Sequence, residues 1–169
     1  PKKSVILVVQ STYPPVDTNL LQALSIISQV RKISSRTFAI IPYMGYARQD
    51  KQFLSGEVIT MSVVAKMLQS AGAKKVIVVD IHSNTALNHF NIPTENVSAV
   101  PELVKYFKKL NLKNPLVVSP DAGGSSRSKK FASLLKSDFI VLKKHRDRKT
   151  GRVSIHTTKV DVQGKDLII

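Results

Sequence analysis

Pro115-Leu116-Val117-Val118-Ser119-Pro120-Asp121-Ala122-Gly123-Gly124 decides how the rest of the chain is read. Leu116 to Val118 form a short apolar run that reads as a buried strand, closed by Ser119-Pro120. Gly123-Gly124, followed by Ser125, Ser126 and Arg127, reads as a tight turn opening a helix. Backbone N–H groups at a helix start favour anions, phosphate among them. Asp121 then falls at the carboxyl end of the strand, where ligands bind in open α/β sheets. A carboxylate beside a phosphate cradle suits a bridging Mg²⁺. A helix-capping aspartate in an ordinary turn is the alternative reading.

Outward from this stretch, strands and helices alternate. Residues 4–9 are a near-continuous apolar run, expected to be a strand buried on both faces. Asp17 or Thr18 is expected to cap a helix carrying Leu20, Leu21, Leu24, Ile27 and Val30. A strand at 37–42 precedes a polar loop at 43–57, long enough to be a candidate functional loop. A helix at 58–71 with Gly72 as its stop leads to a strand at 75–81. A short helix or turn at 83–90 and an irregular stretch at 91–98 follow.

Pro101 starts a helix running through residue 110. Beyond the central stretch come a helix at 125–135, a strand at 139–146, a turn at Lys149-Thr150-Gly151 and an alternating strand at 152–159. Leu167-Ile168-Ile169 reads as a buried strand. The alternation implies parallel βαβ units. A break near residue 99 divides them into two domains, 1–99 and 100–169.

Composition narrows the function. The 169 residues, 43% of them hydrophobic, suffice for one good core or two small ones. No apolar run approaches the roughly 20 residues of a membrane span, and no signal-peptide pattern is present. With no cysteine, disulfides and thiolate metal sites are excluded, which fits a cytoplasmic protein. The net charge of +15 suggests an anionic partner, either nucleic acid or phosphorylated small molecules. The charge is dispersed, however, and no basic stripe with interleaved aromatics speaks for single-strand binding. The start without Met and the apolar finish suggest part of a longer protein.

Three further groups could do chemistry. Asp80 and His82 lie two apart at an expected strand end, so period-two geometry puts them on one side. They could bind metal, or the carboxylate could fix the imidazole tautomer; a satisfied hydrogen bond is the plainer reading. In Tyr46-Ala47-Arg48-Gln49-Asp50-Lys51, Arg48 offers a planar fork for phosphate or base stacking and Gln49 an amide edge, against a simple solvated loop. Lys144 and Arg146 share a strand face and could neutralise a transferring phosphoryl group, or form a basic edge that discourages strand pairing.

Taken together, and in order along nearly the whole chain, these segments resemble the ribose-phosphate diphosphokinase (phosphoribosyl diphosphate, PRPP, synthetase) family. Gly164-Lys165-Asp166-Leu167-Ile168-Ile169 is also similar to the family's run into its last substrate loop. The resemblance implies an α/β fold of tandem phosphoribosyltransferase-like domains, with mostly parallel sheets flanked by helices. It implies transfer of the diphosphoryl group of ATP to the 1-hydroxyl of ribose 5-phosphate, giving PRPP and AMP, and assembly as a homo-oligomer. By match to the family's motifs, Arg48, Gln49 and His82 bind ATP, and His82, Asp121 and, more weakly, Asp80 associate with Mg²⁺. The same match implies that Lys144 is the catalytic lysine and that Arg146 helps catalysis and substrate binding.

The family's ribose-5-phosphate loop and its N-terminal ATP-contacting segment are absent from this sequence. A chain ending at Ile169 is therefore expected to make no PRPP while binding nucleotide weakly. Competing readings are a non-catalytic, synthetase-like regulatory subunit, against which Lys144, Arg146 and Asp121 argue, and a basic nucleic-acid-binding module that rests on charge alone.

Overall fold

The computed structural model describes residues 4–146, 153–156 and 161–169, with 143–146 and 153–156 described by their backbone. It divides into two compact units, Pro1–Ser98 and Ala99–Ile169.

The first unit is a four-stranded parallel sheet in the order β1-β2-β3-β4. Its strands are β1 (Val5–Val9), β2 (Arg36–Ile41), β3 (Lys75–Val79) and β4 (Thr94–Val97). Between them run α1 (Val16–Val30) and α2 (Thr60–Ala71), with a 3₁₀ turn at Asn84–His89. Alternate β2 and β3 residues, Thr37, Ala39, Ile41, Val76 and Val78, are fully buried. They meet Leu20 and Ile27 of α1 and Met61, Val64, Ala65 and Leu68 of α2, which recur at helical spacing. Burying each large aliphatic side chain contributes about 1.5–3 kcal/mol.

β1 is not buried on both faces: Val5, Leu7 and Val9 are 40–63% exposed, because an edge strand is covered by helix on one side only. Neither Asp17 nor Thr18 caps α1, whose N-cap is Pro15 without a side-chain hydrogen bond. Leu21 turns to solvent, a position off the core stripe. The irregular stretch at 91–98 contains β4, a polar edge strand held by backbone pairing to β3 rather than by apolar side chains. β3 stops at Val79, since Asp80 takes a positive φ of 43° and leaves the extended conformation.

In the second unit, β5 (Leu116–Ser119) lies between β6 (Asp138–Val141) and β9 (Leu167–Ile168), parallel to both. All four β5 residues are buried, as a central strand requires. Val100 and Val104 of α3 (Val100–Phe107) pack with Phe131 and Ala132 of α4 (Ser125–Leu135) and with Val117. Phe107 and Phe131 meet edge to face at 5.4 Å.

The expected strand at 139–146 is two strands: Leu142 separates β6 from β7 (Lys143–Arg146), and β7 pairs antiparallel with β8 (Val153–His156) in a separate ribbon. The turn Lys149-Thr150-Gly151 lies outside the described residues. α3 ends at Phe107, its last residues before 110 continuing as turns. β9 is an edge strand with Leu167 45% and Ile169 84% exposed, not a buried one; only Ile168 packs on the core. No helix among the described residues is long and apolar enough to cross a membrane.

Gly72 ends α2 at φ 116°, and a Cβ there would stand 2.5 Å from Arg31 Cδ. Gly72→Ala is expected to cost about 1–2 kcal/mol through that backbone conformation. For a domain of this size the thermal midpoint followed by circular dichroism should fall by roughly 5–10 °C. An unchanged midpoint would contradict the left-handed cap.

Candidate active site

Parallel pairing sends the carboxyl ends of β1, β2 and β3 to one edge of the first sheet. The segment after β1, the loop at 42–59 and the turn after β3 all leave there. Thr12, 1% exposed, fixes the first two to each other. Its hydroxyl donates to the Tyr43 carbonyl at 2.8 Å and accepts the Gly45 N–H at 2.7 Å. Gly45 is required by space, since a Cβ would sit 2.5 Å from Val16 Cγ1.

The loop then tightens. Tyr46 adopts φ 62°, and its phenol donates to Asp17 Oδ1 at 2.5 Å. That hydrogen bond, then burial and the Asp17 charge, hold the phenol above its ordinary value. Gln49 N–H closes a turn onto the Tyr46 carbonyl, and the Gln49 carbonyl accepts the N–H of Met61 in α2. Asp50 points inward at 5% exposure; its Oδ2 accepts the Ser83 hydroxyl at 2.6 Å, and its carbonyl meets His89 Nε2 at 2.7 Å. Arg48 and Gln49 are left exposed at the tip of this anchored turn. Further on, Glu57 folds back to accept the N–H groups of Phe53 at 2.8 Å and Leu54 at 3.1 Å, and these two bonds hold its carboxyl below the usual range.

At the end of β3, Asp80 N–H donates to the Val97 carbonyl at 2.9 Å, and Asp80 Oδ1 accepts from Ser98 Oγ at 3.2 Å. Ile81 N–H reaches Asn96 Oδ1 at 3.2 Å, so this corner is tied to β4. Asp80 and His82 therefore do not stand side by side through strand periodicity: that alternation holds only in extended backbone, which ends before Asp80. His82 is exposed and lies next to Ser83, the residue bonded to Asp50. The structure thus brings the Arg48–Gln49 turn to the His82 segment and holds Asp80 toward β4.

In the second unit Asp121 is half-buried just beyond β5. Its Oδ1 accepts the Gly124 N–H at 3.1 Å, closing the turn ahead of α4; the N-cap is Gly124 and no side chain caps it, so Asp121 is not the helix cap. The buried Ser119 hydroxyl donates to the Asp121 carbonyl at 2.8 Å. The turn is tight enough that a Cβ on Gly124 would lie 3.1 Å from Ser119 Oγ. Leu142 N–H donates to the Ser119 carbonyl, so β7 starts at the same end of the sheet as Asp121. Within β7, Lys144 pairs with Ile155 and Arg146 with Val153; the side chains of both basic residues lie outside the described residues.

Among the described residues no three of His, Asp and Glu gather as a ready-made metal cage. Mg²⁺ takes oxygen ligands and is commonly held by one or two carboxylates plus substrate phosphates. Asp121 Oδ2, which carries no hydrogen bond among the described residues, suits that donor set. The exposed imidazole of His82 suits it less as a direct ligand.

Reading the sequence misses four residues that shape this site: Thr12, Asp17, Ser83 and His89. It also gives Asp50 no part of its own. Nothing in Arg48-Gln49-Asp50-Lys51 signals that one charge of the run points inward. A small hydroxyl residue closing a strand, as at Thr12, is only a weak hint.

Helix-flanked parallel sheets with their functional loops at the strand ends define a phosphoribosyltransferase-like α/β protein. Residues 2–72 match the family described as the N-terminal domain of ribose phosphate pyrophosphokinase. Ribose-phosphate pyrophosphokinase of Bacillus caldolyticus is 40% identical over 85% of this chain and 46% of its own length. The Pasteurella multocida protein of the same name is 38% identical over 98% of this chain and 54% of its own. The crystal structure of phosphoribosylpyrophosphate synthetase from Mycobacterium smegmatis superimposes with a TM-score of 0.79 at 30% identity, covering 96% of this chain and 53% of that one. The chain is similar to ribose-phosphate pyrophosphokinases and spans about half the length of the curated relatives it matches.

Thr12→Val keeps the shape of the side chain but strands the buried Gly45 N–H, and should destabilise by about 1–3 kcal/mol in urea unfolding. Thr12→Ser should retain most of the stability; equal loss in both variants would argue against the hydroxyl's role. The Glu57 contribution is complete above the ordinary glutamate range and disappears as pH falls through its lowered folded value. Its carboxyl should therefore titrate by NMR below the ordinary glutamate range, and a normal value would contradict the folded-back loop.

Proposed function

We propose that this chain carries the ATP-binding and catalytic-lysine portions of a ribose-phosphate diphosphokinase. The whole protein transfers the diphosphoryl group of ATP to the 1-hydroxyl of ribose 5-phosphate. The observation that carries this reading is the anchored turn that exposes Arg48 and Gln49 next to the His82 segment. The similarity to ribose-phosphate pyrophosphokinases supports the same reading.

In this proposal Arg48 gives the nucleotide a planar, permanently charged fork for phosphate or for stacking on the base, and Gln49 hydrogen-bonds a polar edge. His82 adds a ring donor at the same edge. Asp121 and His82 are the residues assigned to Mg²⁺, with Asp80 a weaker candidate. A Mg²⁺ held there would supply positive charge against the polyphosphate. Lys144 supplies fixed positive charge to the group in transfer, and Arg146, two residues along β7, holds substrate. A homo-oligomeric assembly and a cytoplasmic location belong to the same reading.

Calorimetric titration of the chain with ATP and MgCl₂ tests it. Saturable binding is expected, with Arg48→Ala weakening it at least about tenfold, equivalent to about 1.4 kcal/mol. No binding by the unaltered chain, or equal affinity in Arg48→Ala, would overturn the proposal.

A further inference from the structure

We infer that Asp50 is a positioning residue: through Ser83 it holds the Arg48–Gln49 turn and the His82 segment as one ligand-binding surface. The inference rests on the nucleotide reading above and adds to it a residue that does not itself face the ligand.

Three observations carry it. First, Asp50 is 5% exposed although it lies between Arg48, Gln49 and Lys51 in a surface loop. Burying a carboxylate is costly unless it is bonded. Among the described residues its side chain has no Lys or Arg ion pair; the bond at Oδ2 comes from the Ser83 hydroxyl at 2.6 Å. The inward orientation is thus set by that one contact rather than by neighbouring charge.

Second, the bond joins two segments that the backbone leaves independent. The loop at 42–59 has no helix or strand of its own, and its other anchors run elsewhere: to Thr12 after β1, to Asp17 in α1 and to Met61 in α2. Asp50 links it to the turn after β3, through its carboxylate to Ser83 and through its carbonyl to His89. Asp50 directly follows Gln49 in sequence, and Ser83 directly follows His82. A shift at this bond therefore moves the exposed groups on both sides relative to each other.

Third, Ser83 is itself fixed. Its Oγ accepts the Thr85 N–H at 3.1 Å and so caps the 3₁₀ turn, whose far end returns His89 to the Asp50 carbonyl. The result is a closed polar ring of Asp50, Ser83, the 3₁₀ turn and His89, referenced to the central strand β3. Groups that bind a ligand from an anchored ring are oriented before the ligand arrives, which lowers the ordering cost of binding.

The test is calorimetric titration with ATP and MgCl₂ of the unaltered chain and of Asp50→Ala, Ser83→Ala, the double variant and Asp50→Asn. Each affinity is corrected for the folded fraction from thermal melts. Asp50→Ala and Ser83→Ala are each expected to raise Kd about tenfold, and the double variant no further, because both remove one bond. Asp50→Asn, whose amide oxygen still accepts the Ser83 hydroxyl, should stay within about twofold of the unaltered chain. If the alanine variants lose thermal stability while their folded fraction binds ATP unchanged, Asp50 is structural only and the inference fails while the nucleotide reading stands. If the unaltered chain binds no ATP, the nucleotide reading fails and takes the inference with it. Should Asp50→Ala not fold, Ser83→Ala, which removes one hydroxyl, decides the matter.

Discussion

Parallel strand pairing is the constraint on which the rest of the first unit depends. Val9 pairs with Ile40, Ile41 with Val78 and Val79 with Val97, so the strands finish nearly level. Every segment that leaves a carboxyl end is then delivered to the same edge of the sheet. The register is secured by burial: Ala39, Ile41, Val76 and Val78 all face the helices, and slipping a strand by one residue would turn its set to the other face. Sequence-distant groups such as Thr12, Asp50 and Ser83 become neighbours through that register.

On this frame the molecule separates what is buried from what is presented. Thr12 and Asp50 make internal hydrogen bonds, whereas Arg48, Gln49 and His82 are exposed. A loop without regular structure would ordinarily have to be ordered by its ligand. Here the ordering is done beforehand by the Thr12, Tyr46, Gln49 and Asp50 hydrogen bonds. The second unit repeats the principle more simply: the buried Ser119 and the glycine pair draw the chain tightly past β5, leaving one Asp121 oxygen bonded and the other available.

Much of the fold could be read from the sequence where local chemistry and tertiary packing agree. The apolar stripe of α2 and its Gly72 stop are plain, and so is α4 over Ser125–Leu135. Less legible were elements decided by position in the sheet. β1 and β9 carry apolar runs typical of buried strands but stand at edges, so side chains such as Leu7 and Leu167 meet solvent. β4, written Thr94-Glu95-Asn96-Val97, lacks a strand signature because backbone pairing to β3 holds it. In the site, the exposed Arg48, Gln49 and His82 and the half-buried Asp121 stood out by chemistry and motif. Asp50 did not, because a carboxylate that turns inward looks in sequence like one that does not. The positive φ of Asp80 was likewise hidden, and with it the failure of the period-two argument.

The central proposal is that the first unit presents a preformed nucleotide-binding edge at the carboxyl ends of its strands. An amide NMR titration with ATP and MgCl₂ tests it most directly. The account predicts shift changes concentrated in residues 46–51 and 81–84, and in the turn at 121–127 when Mg²⁺ is present. The exposed outer face of β1 and the helix ends at Arg31 and Gly72 should stay still. Changes centred on that face or those helix ends, with the 46–51 and 81–84 amides unmoved, would contradict it.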